Sequence, residues 1–401
     1  MSLHGLLDAV AKDAALAEAV QAATDGNRMH VDLVGPPAAR PFTVAALARD
    51  TGRTVLAVTA TGREAEDLAA ALRSLLPPDR VVEYPSWETL PHERLSPRSD
   101  TVGRRLAVLR RLAHPRADDP ETGPVSVVVA PIRSVLQPQV KGLGELEPVA
   151  LRTGQTADLG TIVEALSAAA YARVELVEKR GEFAVRGGIL DVFPPTEEHP
   201  LRVEFWGDDV EEIRYFKVAD QRSLEVAEHG LWAPPCRELL LTDDVRERAA
   251  ALAEAHPELG ELLGKIAEGI AVEGMESLAP VLVDDMELLI DVLPKGSMAV
   301  VCDPERVRTR ATDLVATSQE FLQASWAATA GGGEAPIDVD AASLRSVADV
   351  RDRARELEMM WWSVSPFAAD DELDADTLKL GMHAPESYRG DTAKALADTK
   401  G

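Results

Sequence analysis

The chain has 401 residues, enough at about 150 residues per domain for two or three domains with substantial cores. With 42 Lys and Arg against 68 Asp and Glu its formal net charge is -26, which excludes general attraction to phosphate backbones or anionic membranes and leaves only local contact with nucleic acid. Two distant cysteines and eight scattered histidines exclude a disulfide framework and a metal knuckle, and no stretch approaches about 18 uninterrupted apolar residues, so a soluble, cytoplasmic protein with no membrane contact is expected.

An Ala-rich amphipathic helix is predicted over 3–23. It leads into Met29-His30-Val31-Asp32-Leu33-Val34-Gly35, an apolar run ended by glycine that reads as strand then turn. Further buried strands are predicted at 54–58, 81–84 and 126–130, with a helix at 64–76, and this alternation implies a parallel α/β sheet within residues 1–150. After Leu151 the texture changes. A helix at 161–171 is followed by five short alternating segments, 173–178, 183–186, 189–193, 201–206 and 210–216, separated by Arg180-Gly181, Pro194-Pro195 and Gly207-Asp208-Asp209. Hairpin spacing of this kind predicts an antiparallel meander, hence a small α+β domain over 151–235. Residues 236–345 bring a helix at 245–268 and strand candidates at 281–283, 288–292 and 298–301; they are expected to complete the first α/β domain, with the meander inserted between its halves. Gly331-Gly332-Gly333 reads as a loop, 342–362 as an exit helix and 368–376 as an acidic linker, so 346–401 is expected to lead into the truncated start of a further domain.

Where the first strand ends, a phosphate-binding loop would need G-x-x-x-x-G-K-[ST], because the second glycine lets backbone N–H groups close on phosphate, Lys neutralises it and the hydroxyl holds Mg²⁺. The register gives Gly35-Pro36-Pro37-Ala38-Ala39-Arg40-Pro41-Phe42 instead. Arg40 stands in the glycine slot, Pro41 in the lysine slot and Phe42 in the hydroxyl slot, and the prolines remove N–H donors. Nucleotide binding in the usual mode is therefore not expected; the alternative is an unconventional ATP site with Arg40 as its cation. The acidic pair Asp371-Glu372 lies in a polar stretch after Pro366 rather than behind a buried strand. A nucleophile elbow, a zincin helix and a Gly-rich dinucleotide turn are all missing, so no catalytic residue, metal ligand or cofactor is assigned to this chain.

The most specific signal lies in the meander: Tyr171-Ala172-Arg173, then Arg180-Gly181-Glu182-Phe183-Ala184-Val185-Arg186-Gly187-Gly188 continuing to Phe193-Pro194, then Glu204-Phe205-Trp206-Gly207-Asp208-Asp209-Val210-Glu211-Glu212-Ile213. It resembles the domain that the UvrB family of nucleotide-excision-repair proteins uses to bind UvrA. Tyr84-Pro85-Ser86-Trp87-Glu88-Thr89-Leu90-Pro91, with Ser96-Pro97, passes across the place where the tyrosine-rich hairpin of UvrB would begin. That stretch resembles the N-terminal UvrB-homology module of the bacterial transcription-repair coupling factors (Mfd), and the resemblance covers roughly residues 30–345. It implies a helicase-like α/β domain with a degenerate P-loop, formed by two chain segments around the inserted meander. By the same resemblance the chain would be a non-catalytic recruitment module that binds UvrA and brings excision repair to lesion-stalled RNA polymerase, with the same face open to masking by the parent's motor domain. ATP, Mg²⁺ and the contacts to RNA polymerase and DNA would belong to the remainder of a longer parent, an ATP-driven DNA translocase.

Carried over residue by residue, the family's UvrA-contacting arginines fall on Arg173, Arg180 and Arg186, and a fourth on Ala184. Phe183 is a further candidate contact, with the sheet core as its alternative. Adjacent strands are expected to put Arg173 near Ala184 and Arg186, and alternation to place 184 and 186 on one face and Phe183 and Val185 on the other, giving a basic patch on an acidic body. Residues 94–116 contain seven arginines and one aspartate. Arg104, Arg105, Arg110 and Arg111 on a helix there are the candidate DNA contacts, with a solvated or interdomain face as the alternative. The rival readings are thus an ATP-dependent, UvrB-like helicase subunit and a DNA-binding module using residues 94–116. Trp87, Trp361 and Trp362 are either interface residues or buried packing.

Overall fold

The computed structural model describes residues 4–89, 95–116, 123–329, 343–367 and 376–383. Arg94, the triple glycine at 331–333, the Asp371-Glu372 pair and all but the last residue of the predicted linker lie outside the described residues.

Two helices, His4–Val10 and Ala14–Asp25, replace the single helix predicted at 3–23, because Asp13 caps the second by accepting from the Leu16 amide at 2.9 Å. Four parallel strands follow: β1 (Val31–Val34), β2 (Val55–Thr59), β3 (Val81–Glu83) and β4 (Val127–Pro131). β2 and β4 are buried throughout, as a sheet covered on both faces requires, which is why they read as unbroken apolar runs. Strand alternation divides their side chains between two cores. Val55, Ala57, Val127 and Val129 pack with helices 14–25, 40–51 and 62–75, while Leu56, Val58, Val128 and Ala130 pack with helix Ser99–Ala113 and the helices near the C-terminus.

The chain then leaves this domain and returns through a narrow neck, where Val149–Leu151 pairs antiparallel with Leu231–Ala233. Between the two neck strands lie helix Leu159–Ala168 and β5 (Ala172–Arg173), β6 (Glu182–Arg186), β7 (Ile189–Val192), β8 (Leu201–Trp206), β9 (Asp209–Phe216) and β10 (Ser223–Val226). They form one sheet in the order β10-β9-β8-β7-β6-β5. Four of its five pairings are antiparallel, as the hairpin spacing predicts, but β5 runs parallel to β6. The strand expected over 173–178 ends at Arg173 because the chain then folds out of the sheet, placing Val174 and Val177 against Ala184, Phe193 and Phe216.

On its return the chain makes a helical unit, Asp243–Ala255 and Gly260–Ala267, whose own core includes Leu239, Val245, Leu263, Met275 and Leu282. The strands predicted at 281–283 and 288–292 are overturned: Ala279–Leu282 and Leu289–Val292 are helical turns, since short apolar runs do not separate the two states. β11 (Met298–Cys302) rejoins the parallel sheet, followed by helices Pro304–Thr329 and Val347–Glu356, then β12 (Met360–Ser365) and β13 (Asp376–Lys379). The completed order is β13-β1-β12-β11-β2-β4-β3, with all neighbours parallel. This corrects the reading of 342–362 as one exit helix, since only Val347–Glu356 is helical and Met360–Ser365 is a strand of the parallel sheet, while residues 384–401, where a further domain was expected to begin, lie outside the described residues. β12 lies between β1 and β11, so Trp361 and Trp362 sit inside the sheet. The helix stops early because Glu358 takes a left-handed φ of 53°, a break that no glycine or proline announces.

Helix Ser99–Ala113 sets how the inserted sheet sits on its host. Gly103 faces the β7–β8 loop so closely that a Cβ there would lie 2.6 Å from ring carbons of Pro195, and Ser99 Oγ donates to the Arg180 carbonyl at 3.4 Å. Gly103→Val is expected to overpack this contact and cost about 1–3 kcal/mol, read as a lower midpoint in thermal denaturation. An unchanged midpoint would mean that the Pro195 loop does not bear on the helix.

Candidate functional site

The sheet of the insertion has an inner and an outer face. Phe183, Leu190, Val192, Val203 and Ile213 point inward, against helix Leu159–Ala168, with Phe183 fully buried, so Phe183 is core and the contact expected of it is overturned. Register across β6, β7, β8 and β9 gives the outer face Arg186, Ile189, Asp191, Arg202, Glu204, Glu212 and Arg214. Asp191 is 1% exposed and accepts from Arg186 Nη2 at 2.6 Å and from Arg202 Nε at 2.7 Å. Its hydrogen bond holds the Arg202 guanidinium above the ordinary arginine value. Arg202 also lies 4.7 Å over the Phe216 ring, and Arg180 lies 5.2 Å over Phe193 while its Nε donates to the Glu197 carbonyl at 2.9 Å.

Two expectations for this face change. Arg173 pairs with Phe183 in the β5–β6 ladder and so belongs to the inner side, at the exposed strand end, whereas Arg186 belongs to the outer side; the two do not share a face. Nor is the outer face a plain basic patch. Its arginines alternate with Asp191, Glu204 and Glu212, and Glu212 pairs with Arg214 at 2.6 Å, so the surface is a mosaic of both signs. Ala184, in the position of the fourth family arginine, is buried beneath Val177 and Phe216. Sequence reading missed Arg202 and Trp206. Both alternate with the buried Leu201, Val203 and Phe205 along β8, and Trp206 is 79% exposed at the hairpin tip. That alternation was the available signal.

The arginines of helix Ser99–Ala113 bond to groups within the chain, with Arg105 buried, Arg110 and Arg111 half-buried and Arg104 exposed. Arg105 is completely buried: its Nε donates to Glu238 Oε1 at 2.5 Å, its Nη1 donates to the Pro85 carbonyl at 3.0 Å, and its guanidinium lies 4.3 Å over the Tyr84 ring. Trp87 Nε1 donates to the same Glu238 oxygen at 3.0 Å, and Tyr84 Oη donates to Gln139. Burial opposes the charge on Arg105, but Glu238, Tyr84 and Glu88 together outweigh it and hold the guanidinium above its ordinary value. Burial pushes the Tyr84 phenol up. Arg110 donates to the carbonyls of Gly144 and Glu145, Arg111 to those of Gly123 and Asp79, and Arg104 back to Asp100 on its own helix. The Tyr84–Thr89 motif and Trp87 thus build a buried joint.

At the end of β1 the Gly35 amide donates to the Ser365 carbonyl at 3.0 Å, and a Cβ at Gly35 would come within 3.0 Å of Leu380. Pro37–Ala39 form a 3₁₀ turn and helix Arg40–Thr51 begins directly after it. Arg40 Nη2 pairs with Asp303 at 3.0 Å, just past β11. The adjoining cleft of about 270 Å³ is lined by Pro37, Arg40, Pro41, Thr59, Glu64 and Asp67 among others. Phe42 packs against the core beneath it. Among the described residues no group of three or more His, Cys, Asp or Glu side chains could hold a metal, and no helix is long and apolar enough to cross a membrane.

A family model described as the UvrB interaction domain matches residues 149–234. The transcription-repair-coupling factor of Mycobacterium bovis is 50% identical over 382 residues, covering 91% of this chain and 30% of that protein. The protein of the same name from Myxococcus xanthus is 34% identical over 275 residues, 63% of this chain and 22% of that one. UvrABC system protein B of Gloeothece citriformis is 27% identical over 240 residues, 59% of this chain and 36% of that one. The chain spans about a third or less of the length of these curated relatives.

Replacing Arg105 by Met strands the Glu238 carboxylate in the interior and is expected to cost about 3–5 kcal/mol of folding stability in denaturant titrations. Arg104→Ala, on the exposed side of the same helix, should stay within about 0.5 kcal/mol of the parent. Equal effects would mean that the buried pair is not a structural joint.

Proposed function

Since the chain is a UvrB-homology module of the transcription-repair-coupling-factor type, we propose that it serves transcription-coupled repair as a non-catalytic recruitment module, docking UvrA on the outer face of its inserted sheet. The observation that carries this reading is a coincidence of boundaries. The interaction-domain match at 149–234 begins and ends at the neck strands Val149–Leu151 and Leu231–Ala233, so the matched segment is the whole insertion and little else. On that insertion the outward groups best suited to a protein partner are Arg186, half-exposed with donors to spare, Arg180 at the sheet's edge, and the exposed indole of Trp206. Arginine and tryptophan are the side chains that most often dominate interface energies, the first through directional bonds to carboxylates and the second through apolar area.

The Gly35–Phe42 turn supports a scaffold role, as a P-loop that has lost its grip. Pro36, Pro37 and Pro41 donate no backbone hydrogen bond, Arg40 is spent on Asp303, and Leu380 closes on Gly35. The internal partners of Arg105, Arg110 and Arg111 likewise weigh against the DNA-binding alternative. RNA polymerase, DNA and an ATP-driven motor are partners and parts we assign to a longer parent, where the motor would compete with UvrA for the same face.

The test is retention of UvrA by the 401-residue chain. Arg186→Ala and Trp206→Ala, each confirmed folded by circular dichroism, are expected to weaken binding by about tenfold or more. Retention of UvrA by both variants at the level of the parent chain would remove the outer face from the function.

A further inference from the structure

Asp191 is an odd residue to find inside a sheet: a carboxylate 1% exposed, on a strand whose neighbours Leu190 and Val192 are core. It makes sense only through its two partners. Arg202 grips it with a two-pronged fork, Nε to Oδ1 at 2.7 Å and Nη2 to Oδ2 at 2.9 Å, and is itself pinned over the Phe216 ring with 16% of its side chain exposed. Arg186 reaches the same Oδ2 with Nη2 at 2.6 Å but keeps 49% of its side chain in solvent. One buried negative charge is therefore shared by two guanidinium groups. Arg202 alone satisfies it, so the positive charge left over resides on Arg186, the exposed member, whose side chain is nonetheless anchored at one nitrogen.

We propose that Asp191 is a positioning residue for the partner contact made by Arg186. It fixes the guanidinium in one orientation before the partner arrives, and Arg202 supplies the counter-charge that keeps Asp191 from cancelling Arg186. The remaining Arg186 donors are then directed outward toward a carboxylate on the partner's surface. An arginine already ordered loses less side-chain freedom on binding than one that sweeps through solvent, and that difference appears as affinity. This inference rests on the docking reading above.

Binding of UvrA to the 401-residue chain would be measured by titration for Asp191→Asn, Arg186→Ala, the double variant and Arg202→Met, with melting curves establishing which variants are folded. Asp191→Asn is expected to weaken binding about three- to tenfold, the loss expected from one newly mobile long side chain. In the Arg186→Ala background the same change should have no further effect, because Asp191 acts only through Arg186. Arg202→Met leaves Asp191 paired with Arg186 alone, a neutral couple, and is also expected to weaken binding, so the inference stays testable if Asp191→Asn fails to fold. A loss of equal size in the presence and absence of Arg186, or no loss in either Asp191→Asn or Arg202→Met while Arg186→Ala binds poorly, overturns the positioning role alone. Full binding by Arg186→Ala overturns this inference, and full binding by both Arg186→Ala and Trp206→Ala overturns the docking face as well.

Discussion

The architecture hangs on two opposite charges hidden from water. Arg105 comes from the helix that supports the parallel sheet, and Glu238 from the chain just after it has returned from the insertion. Dehydrating such a pair is costly, and attraction offsets that cost only when geometry is close and the remaining donors are used. Both conditions hold here. The Pro85 carbonyl takes another Arg105 donor, Trp87 donates to Glu238, and the Tyr84 ring covers the guanidinium. The pair therefore fixes where the return chain must pass, which in turn determines how the inserted sheet is held against Gly103 and Ser99.

Host and insertion divide the labour. The host presents the usual setting for a ligand, a cleft at the carboxyl ends of parallel strands, but lines it with prolines and an arginine committed to Asp303. The insertion presents a face of alternating charge. On such a surface, recognition depends on the placement of individual groups rather than on net attraction, which suits a chain whose overall charge repels most acidic surfaces.

How much of this was legible in the sequence depends on how local each cause is. β2, β4 and β11 could be read because a strand buried on both faces is apolar at nearly every position, and β1 because its apolar run ends at Gly35. The meander could be read because hairpins space their turns regularly. Three features could not. Arg105 looks like any arginine of a charged helix, and the Glu238 that explains its burial lies 133 residues away. β12 follows a helix through a left-handed Glu358, a residue that gives no sign of a break. The separation of Arg173 from Arg186 depends on β5 pairing parallel to β6, where hairpin spacing implied the opposite direction and a different register. The candidate arginines could be named from a motif, but which side of the sheet each occupies is a property of pairing, not of spacing.

The neck carries a consequence beyond this molecule. Because Val149–Leu151 and Leu231–Ala233 lie hydrogen-bonded side by side, the two ends of the insertion are neighbours in space. Excising the segment would leave a host gap that a short turn could bridge, and grafting it needs only two adjacent attachment points on a recipient. Its boundaries are those of a cassette, a unit that gene fusion can transplant whole into scaffolds with different duties, carrying its surface chemistry with it.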